Sequence, residues 1–110
     1  MAYDEGLAQR LHEGMEGKVD FGTKKMFGGL AFMVHGHMAV GIVKDELCAR
    51  VGKDGWADAM KLPGVREMDF TGKSLKTMVY VDQSALQTDA ELDAWIERCL
   101  AFVLSLPPKG

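Results

Sequence analysis

Apolar residues recur about every four positions at the start of the chain, every second position through its middle, and at helical spacing again near its end. Leu7, Leu11 and Met15 fall on one side of residues 4–16 with Ala8 beside them. Asp4, Glu5, Arg10, Glu13 and Glu16 fall mostly on the other. This predicts an amphipathic helix, because steps of three and four residues return side chains to one face. Asp4 and Glu5 suit the positive end of its dipole, and Gly17 suits its end. His12 borders the apolar stripe and reads as a boundary residue.

From Lys24 to Val51 the period is two, which predicts strands. Lys24-Lys25-Met26-Phe27 leads into the first, with Gly28-Gly29 as punctuation, and Leu30 to His35 continues it. Gly36 marks a tight turn, Met38 to Val43 is the next strand, Lys44-Asp45-Glu46 connects, and Leu47 to Val51 follows. Short turns between alternating runs predict an antiparallel meander. Strict alternation places Leu30, Phe32, Val34, Met38, Val40 and Ile42 on one face, and Ala31, Met33, Ala39 and Val43 on the other. An antiparallel sheet with one wet face carries polar residues on that face. Here both faces are apolar, so the second is expected to be covered by a helix of this chain or by a second copy.

Asp54 to Leu62 reads as a short helix ended by Pro63-Gly64. Met68-Asp69-Phe70 reads as a short strand, Thr71-Gly72-Lys73 as a turn, and Thr77 to Val81 as a strand rich in β-branched and aromatic residues. Thr88-Asp89-Ala90-Glu91 has the spacing of a capping box, in which the threonine and glutamate side chains each satisfy a free N–H of the first turn. Leu92, Trp95, Ile96, Cys99, Leu100 and Val103 follow at helical spacing, with an end near Ser105-Leu106 and Trp95 in the core. The expected order is α-β-β-β-α-β-β-α, an α+β fold with an antiparallel sheet.

The chain has 110 residues, 47% hydrophobic and 26% charged, which fits one globular domain over residues 1–110 and excludes a disordered linker. No apolar run approaches the roughly 18 residues of a membrane span. Met1-Ala2-Tyr3-Asp4-Glu5 is unlike a secretory leader. A cytoplasmic protein with no membrane contact is expected. Cys48 and Cys99 sit among apolar neighbours and read as free, buried thiols of a reducing compartment. The net charge of -3 is unevenly spread. Residues 1–20 hold two basic and five acidic side chains, residues 21–81 nine and six, and residues 82–110 two and five. A basic centre between acidic ends is too mild for a nucleic-acid footprint, so nucleic acid is not the expected partner.

The chain carries little recognisable chemistry. Gly72-Lys73-Ser74 resembles the end of a phosphate-binding loop, but Glu67 stands where that motif needs glycine and a strand follows. Gly28-Gly29 lies within a strand pair, not between strand and helix, which excludes a dinucleotide loop. His35 and His37 flank a turn glycine but lack convergent third and fourth ligands, so no metal or other cofactor is assigned. Ser74, Ser84 and Ser105 lack a nucleophile-elbow setting. No catalytic residue is assigned.

Taken together, Lys25-Met26-Phe27-Gly28-Gly29-Leu30, the Gly36 turn, Asp45-Glu46-Leu47, Arg50-Val51, Met68-Asp69-Phe70-Thr71-Gly72 and a closing helix with Trp95 resemble the N-terminal domain of the TfoX/Sxy competence regulators. The resemblance spans residues 4–106. It implies a curved antiparallel sheet with flanking helices, similar to secretion-chaperone-like proteins, and transfers no catalytic residue. Competence regulators of this type carry a second, helical domain. A chain ending at Pro107-Pro108-Lys109-Gly110 resembles the stand-alone form. The function expected is that of a non-enzymatic regulatory or protein-interaction module, a homodimer that can take a regulatory protein partner. Lys24, Lys25, Met33, Arg50 and Lys73 are its candidate partner surface. Two rivals stand beside it. One is a nucleic-acid-binding accessory factor using Lys24, Lys25, Arg50, Lys53, Arg66, Lys73 and Lys76 with Phe27 and Phe70. The other is a small-molecule binder or enzyme with a pocket holding Tyr80, Arg50 or His35.

Overall fold

The computed structural model describes residues 3–26, 28–70 and 73–107, and at 26, 68–70 and 73–76 the backbone alone. Helix α1 (Glu5–Met15) leads into strands β1 (Gly22–Met26), β2 (Gly29–Val34), β3 (His37–Val43) and β4 (Glu46–Arg50). Helix α2 (Gly52–Met60), strands β5 (Val65–Phe70) and β6 (Lys73–Val81), a single 3₁₀ turn (Gln83–Ala85) and helix α3 (Asp89–Val103) follow. The strands form one antiparallel sheet in the order β1-β2-β3-β4-β6-β5. The α+β class is as expected, but there are four strands before α2 instead of three. Met26 pairs with Gly29, so the ribbon entering at Lys24 is a separate edge strand. The turn expected at Thr71-Gly72 lies outside the described residues. Lys73, read as part of that turn, already belongs to β6.

Local chemistry explains the element ends. The Asp4 carboxylate accepts from the Leu7 N–H at 3.0 Å and caps α1. The capping box at α3 forms with both its bonds, Glu91 N–H to Thr88 Oγ1 at 3.1 Å and Thr88 N–H to Glu91 Oε1 at 2.9 Å. Between β2 and β3, Val34 faces His37. The two residues between them, His35 and Gly36, have φ of 52° and 83°. Such a mirror-image turn matches the twist of the flanking strands. Helix α2 begins two residues earlier than the sequence suggested because Gly52, at φ 79°, turns the chain directly into it. A Cβ at Gly52 would overlap the Phe102 ring of α3, so the position needs both the left-handed backbone and the missing side chain.

The register corrects the expected faces. The β2–β3 pairing shifts between Phe32 and Met33: Phe32 faces Val40, yet Met33 faces Met38. Ala39 is therefore the extra residue of a β-bulge, and a bulge breaks the two-residue period of its strand. Ala39 joins Val40 in the core, and Met38 moves to the opposite face, the reverse of strict alternation. Two rows cross the core side of the sheet: Phe32, Val40, Ala49 and Val79, and beside it Leu30, Ile42, Leu47 and Val81.

All three helices contribute to the core cluster over those rows, through Leu7, Leu11 and Met15 of α1, Ala59 of α2, and Leu92, Trp95, Ile96, Cys99, Leu100 and Val103 of α3. Trp95 is buried, as expected. Cys48 and Cys99 are both free and buried, on opposite sides of the sheet. No helix among the described residues is long and apolar enough to cross a membrane.

Candidate functional site

Because the helices gather on one side, the opposite side of the sheet is the outer surface of the molecule. Its central row runs Lys24, Ala31, Gly41, Cys48, Tyr80 and Arg66, from the β1 edge to the β5 edge. Met33 and Met38 face each other along one flank, and Val43 and Glu46 along the other. The small residues form a trough that the long ones close over. A Cβ on Gly41 would lie 2.7 Å from the methyl of Met38. Ala31 is 1% exposed and Cys48 0%, although no helix covers them. Met33, Met38, Val43, Met78 and Tyr80 are half-buried and form the outermost layer. The expectation that a helix of this chain shelters this face is thus overturned. Neighbouring side chains shelter its centre instead.

At the β5 end, Arg66 donates to both carboxylate oxygens of Glu46 and lies 4.3 Å from the centre of the Tyr80 ring. Donating to the Glu46 carboxylate holds the guanidinium charged and raises its pKa above its already high ordinary value. Burial raises the Tyr80 hydroxyl, with the Cys48 beside it adding to the effect and Arg66 opposing it. Burial pushes the Cys48 thiol up to about 12. A protonated, covered thiol is a poor nucleophile, so Cys48 serves this cluster by packing.

Of the sequence-predicted surface, Lys24 and Met33 share the open face, and Lys25 projects to the helix side of the same edge strand. Arg50 is elsewhere. At the end of β4 it donates to the Met38 carbonyl at 3.3 Å and stacks over Phe102 of α3 at 5.5 Å. Lys73 begins β6, four strand steps from β1, or about 19 Å at ordinary strand spacing; its side chain lies outside the described residues, as do Phe27 and the side chains of Phe70 and Lys76. Among the described side chains of the five, only Lys24 and Met33 are neighbours on the open face. Among the described residues, two of the basic side chains are already neutralised, Arg66 by Glu46 and Lys18 by Asp93 at 2.8 Å and Glu97 at 2.7 Å.

Tyr80, Arg50 and His35, any of which the small-molecule reading would place in a pocket, occupy the open face, the sheet end and the exposed hairpin turn. His37, next to that turn, is buried and bonded through Nε2 to the Pro107 carbonyl at 2.7 Å, so the two histidines do not converge on an ion. No group of three His, Cys, Asp or Glu among the described residues could hold a metal. A cleft of about 420 Å³ does open between α1 and α3, beside Arg10, Glu13, Asp89 and Asp93. Arg10 lies 3.6 Å from Asp89 within it. Met38 and Glu46 are the members of the open face that sequence reasoning missed. Met38 was misplaced by the bulge, and the Glu46–Arg66 pair depends on β4 and β5 both flanking β6, which no local pattern signals.

Comparison with protein-family models matches residues 15–103 to the TfoX N-terminal domain. The chain belongs to that family. This is a family of regulatory domains, and the match covers every element except α1, of which only Met15 is included. It is therefore somewhat shorter than the span of the sequence resemblance. Comparison with curated proteins and with solved structures returned no match. In this TfoX N-terminal domain, then, the open sheet face is the side to which no helix contributes.

Proposed function

We propose that this TfoX N-terminal domain is a non-enzymatic regulatory module that works by docking, and that its open sheet face joins two copies as a homodimer. The observation that carries this reading is the one-sided placement of the helices, which leaves Met33, Met38, Val43, Met78 and Tyr80 as an outer layer. Methionine and tyrosine suit such a surface, being adaptable and large. Charge supports a second copy as occupant. The centre of the face carries one ion pair, Glu46 with Arg66, which is neutralised internally, and the unpaired Lys24 stands at its β1 edge. Two identical faces related by a two-fold axis therefore meet without like-charge conflict where the two Lys24 side chains stay at opposite rims.

Size-exclusion chromatography with light scattering at micromolar concentration tests this. The wild type is expected to run as a dimer. Met33→Glu combined with Met38→Glu is expected to run as a monomer with unchanged far-ultraviolet circular dichroism, and Met33→Lys alone serves where the double variant does not fold. A wild type that stays monomeric throughout the concentration range would overturn the dimer.

A further inference from the structure

We infer that the outer edge of β1 is a second docking site, which accepts an extended acidic segment of another protein as a seventh strand of the sheet. This site adjoins the dimer face, sharing Met33 and Lys24 with it, but the two readings fail in different measurements, peptide anisotropy for one and oligomeric mass for the other.

The two edges of the sheet are not equivalent. At the far edge, the pairing of β5 with β6 shifts between Glu67 and Met68, and such irregularities turn an edge strand away from a partner. Arg66 there is already committed to Glu46. At the near edge, β1 runs in unbroken register from Gly22 opposite Met33 to Met26 opposite Gly29. Residues 22–25 are all exposed, and no proline interrupts them. An edge strand in this state offers a row of backbone donors and acceptors on its outer side.

The side chains state what the edge selects. Lys24 and Lys25 project to opposite faces and form no ion pair among the described residues. Lysines on an edge repel a second copy of the same strand, so β1 is closed to self-pairing. The same two charges favour an incoming strand with adjacent acidic residues, one reaching each lysine. Gly22 adds a third feature. It lies on the open face beside Met33, and a Cβ built there would meet nothing within 4 Å. The gap lets an apolar side chain of the incoming strand reach Met33 across Gly22, a span of about 10 Å from strand to strand. Every neighbouring pair in this sheet is antiparallel. In that orientation the incoming segment reads acidic, acidic, any residue, then a long apolar residue, opposite Lys25, Lys24, Thr23 and Gly22.

A fluorescein-labelled peptide reading threonine-glutamate-glutamate-serine-leucine-threonine tests the site by anisotropy titration at low salt. The wild type is expected to bind it more tightly than a scrambled peptide of the same composition. Lys24→Glu with Lys25→Glu is expected to weaken binding by about tenfold or more, the order of two reversed cross-strand charge pairs. The same variant should gain affinity for the peptide with lysines in place of glutamates. Two backbone-methylated versions separate strand addition from charge alone, because an added strand bonds to the edge through alternate amides. Methylation of one alternate set is expected to abolish binding and of the other to leave it. No binding by the wild type, equal binding of both methylated versions or of the scrambled peptide, or equal competition by a single-stranded oligonucleotide would each overturn the proposal.

Discussion

Cys48 and Cys99 show how one residue type meets two environments with one outcome. Cys99 is in the core beneath the sheet and Cys48 lies on the open side, yet burial pushes both thiols up to about 12 from an ordinary 9.0. The folded chain therefore holds these protons more tightly than the unfolded chain. The stabilisation this linkage gives is complete below pH 9.0 and is lost as pH rises towards 12. A disulfide-exchange reagent at pH 8 is expected to label neither thiol promptly in native buffer, and both promptly in denaturant. Immediate native labelling of Cys48 would show that the methionine and tyrosine layer does not seal it. The sequence revealed that both cysteines are buried, because their neighbours are apolar. It did not reveal that they lie on opposite sides of the sheet, because that depends on the strand register.

At the scale of elements, the features confined to a few consecutive residues were legible and those set by pairing were not. The capping box at Thr88 and Glu91 was visible because its two partners stand three residues apart. Thr88→Ala removes one of its two bonds and is expected to cost about 1 kcal/mol, read as a lower midpoint in urea with an unchanged slope. Strand β1 was half-hidden, since Gly-Thr-Lys-Lys has no apolar alternation and the edge position that tolerates it is a property of the sheet. The bulge at Ala39 was hidden entirely. Met38, Val40 and Ile42 alternate without a visible break, and only the pairing with β2 shows that one residue is extra. That residue decides which methionine reaches the outer surface. Of the candidate surface, Lys24 and Met33 lie on one face of the sheet, and the Arg50 side chain turns to Phe102.

For the whole molecule, the span of the family match and the span of the folding unit differ. The match starts at Met15, but Leu7, Leu11 and Met15 of α1 are all buried in the common core. Removing two leucines of this kind costs about 2–5 kcal/mol each, comparable with the roughly 5–15 kcal/mol that holds a domain together. A chain shortened to begin at Met15 is therefore expected to give a poorly dispersed NMR spectrum. A peptide of residues 1–16 added in trans should restore dispersion. A well-dispersed spectrum from the shortened chain alone would show that α1 is an accessory to the core.

The packing of α1 against α3 carries a consequence for biosynthesis. Helix α1 is made before α3 and must wait for it, since its buried face is completed by residues up to Val103. Until α3 has emerged, the nascent chain holds Leu7, Leu11 and Met15 without their final neighbours, and emergence of α3, not of the sheet, is the moment at which this domain can close.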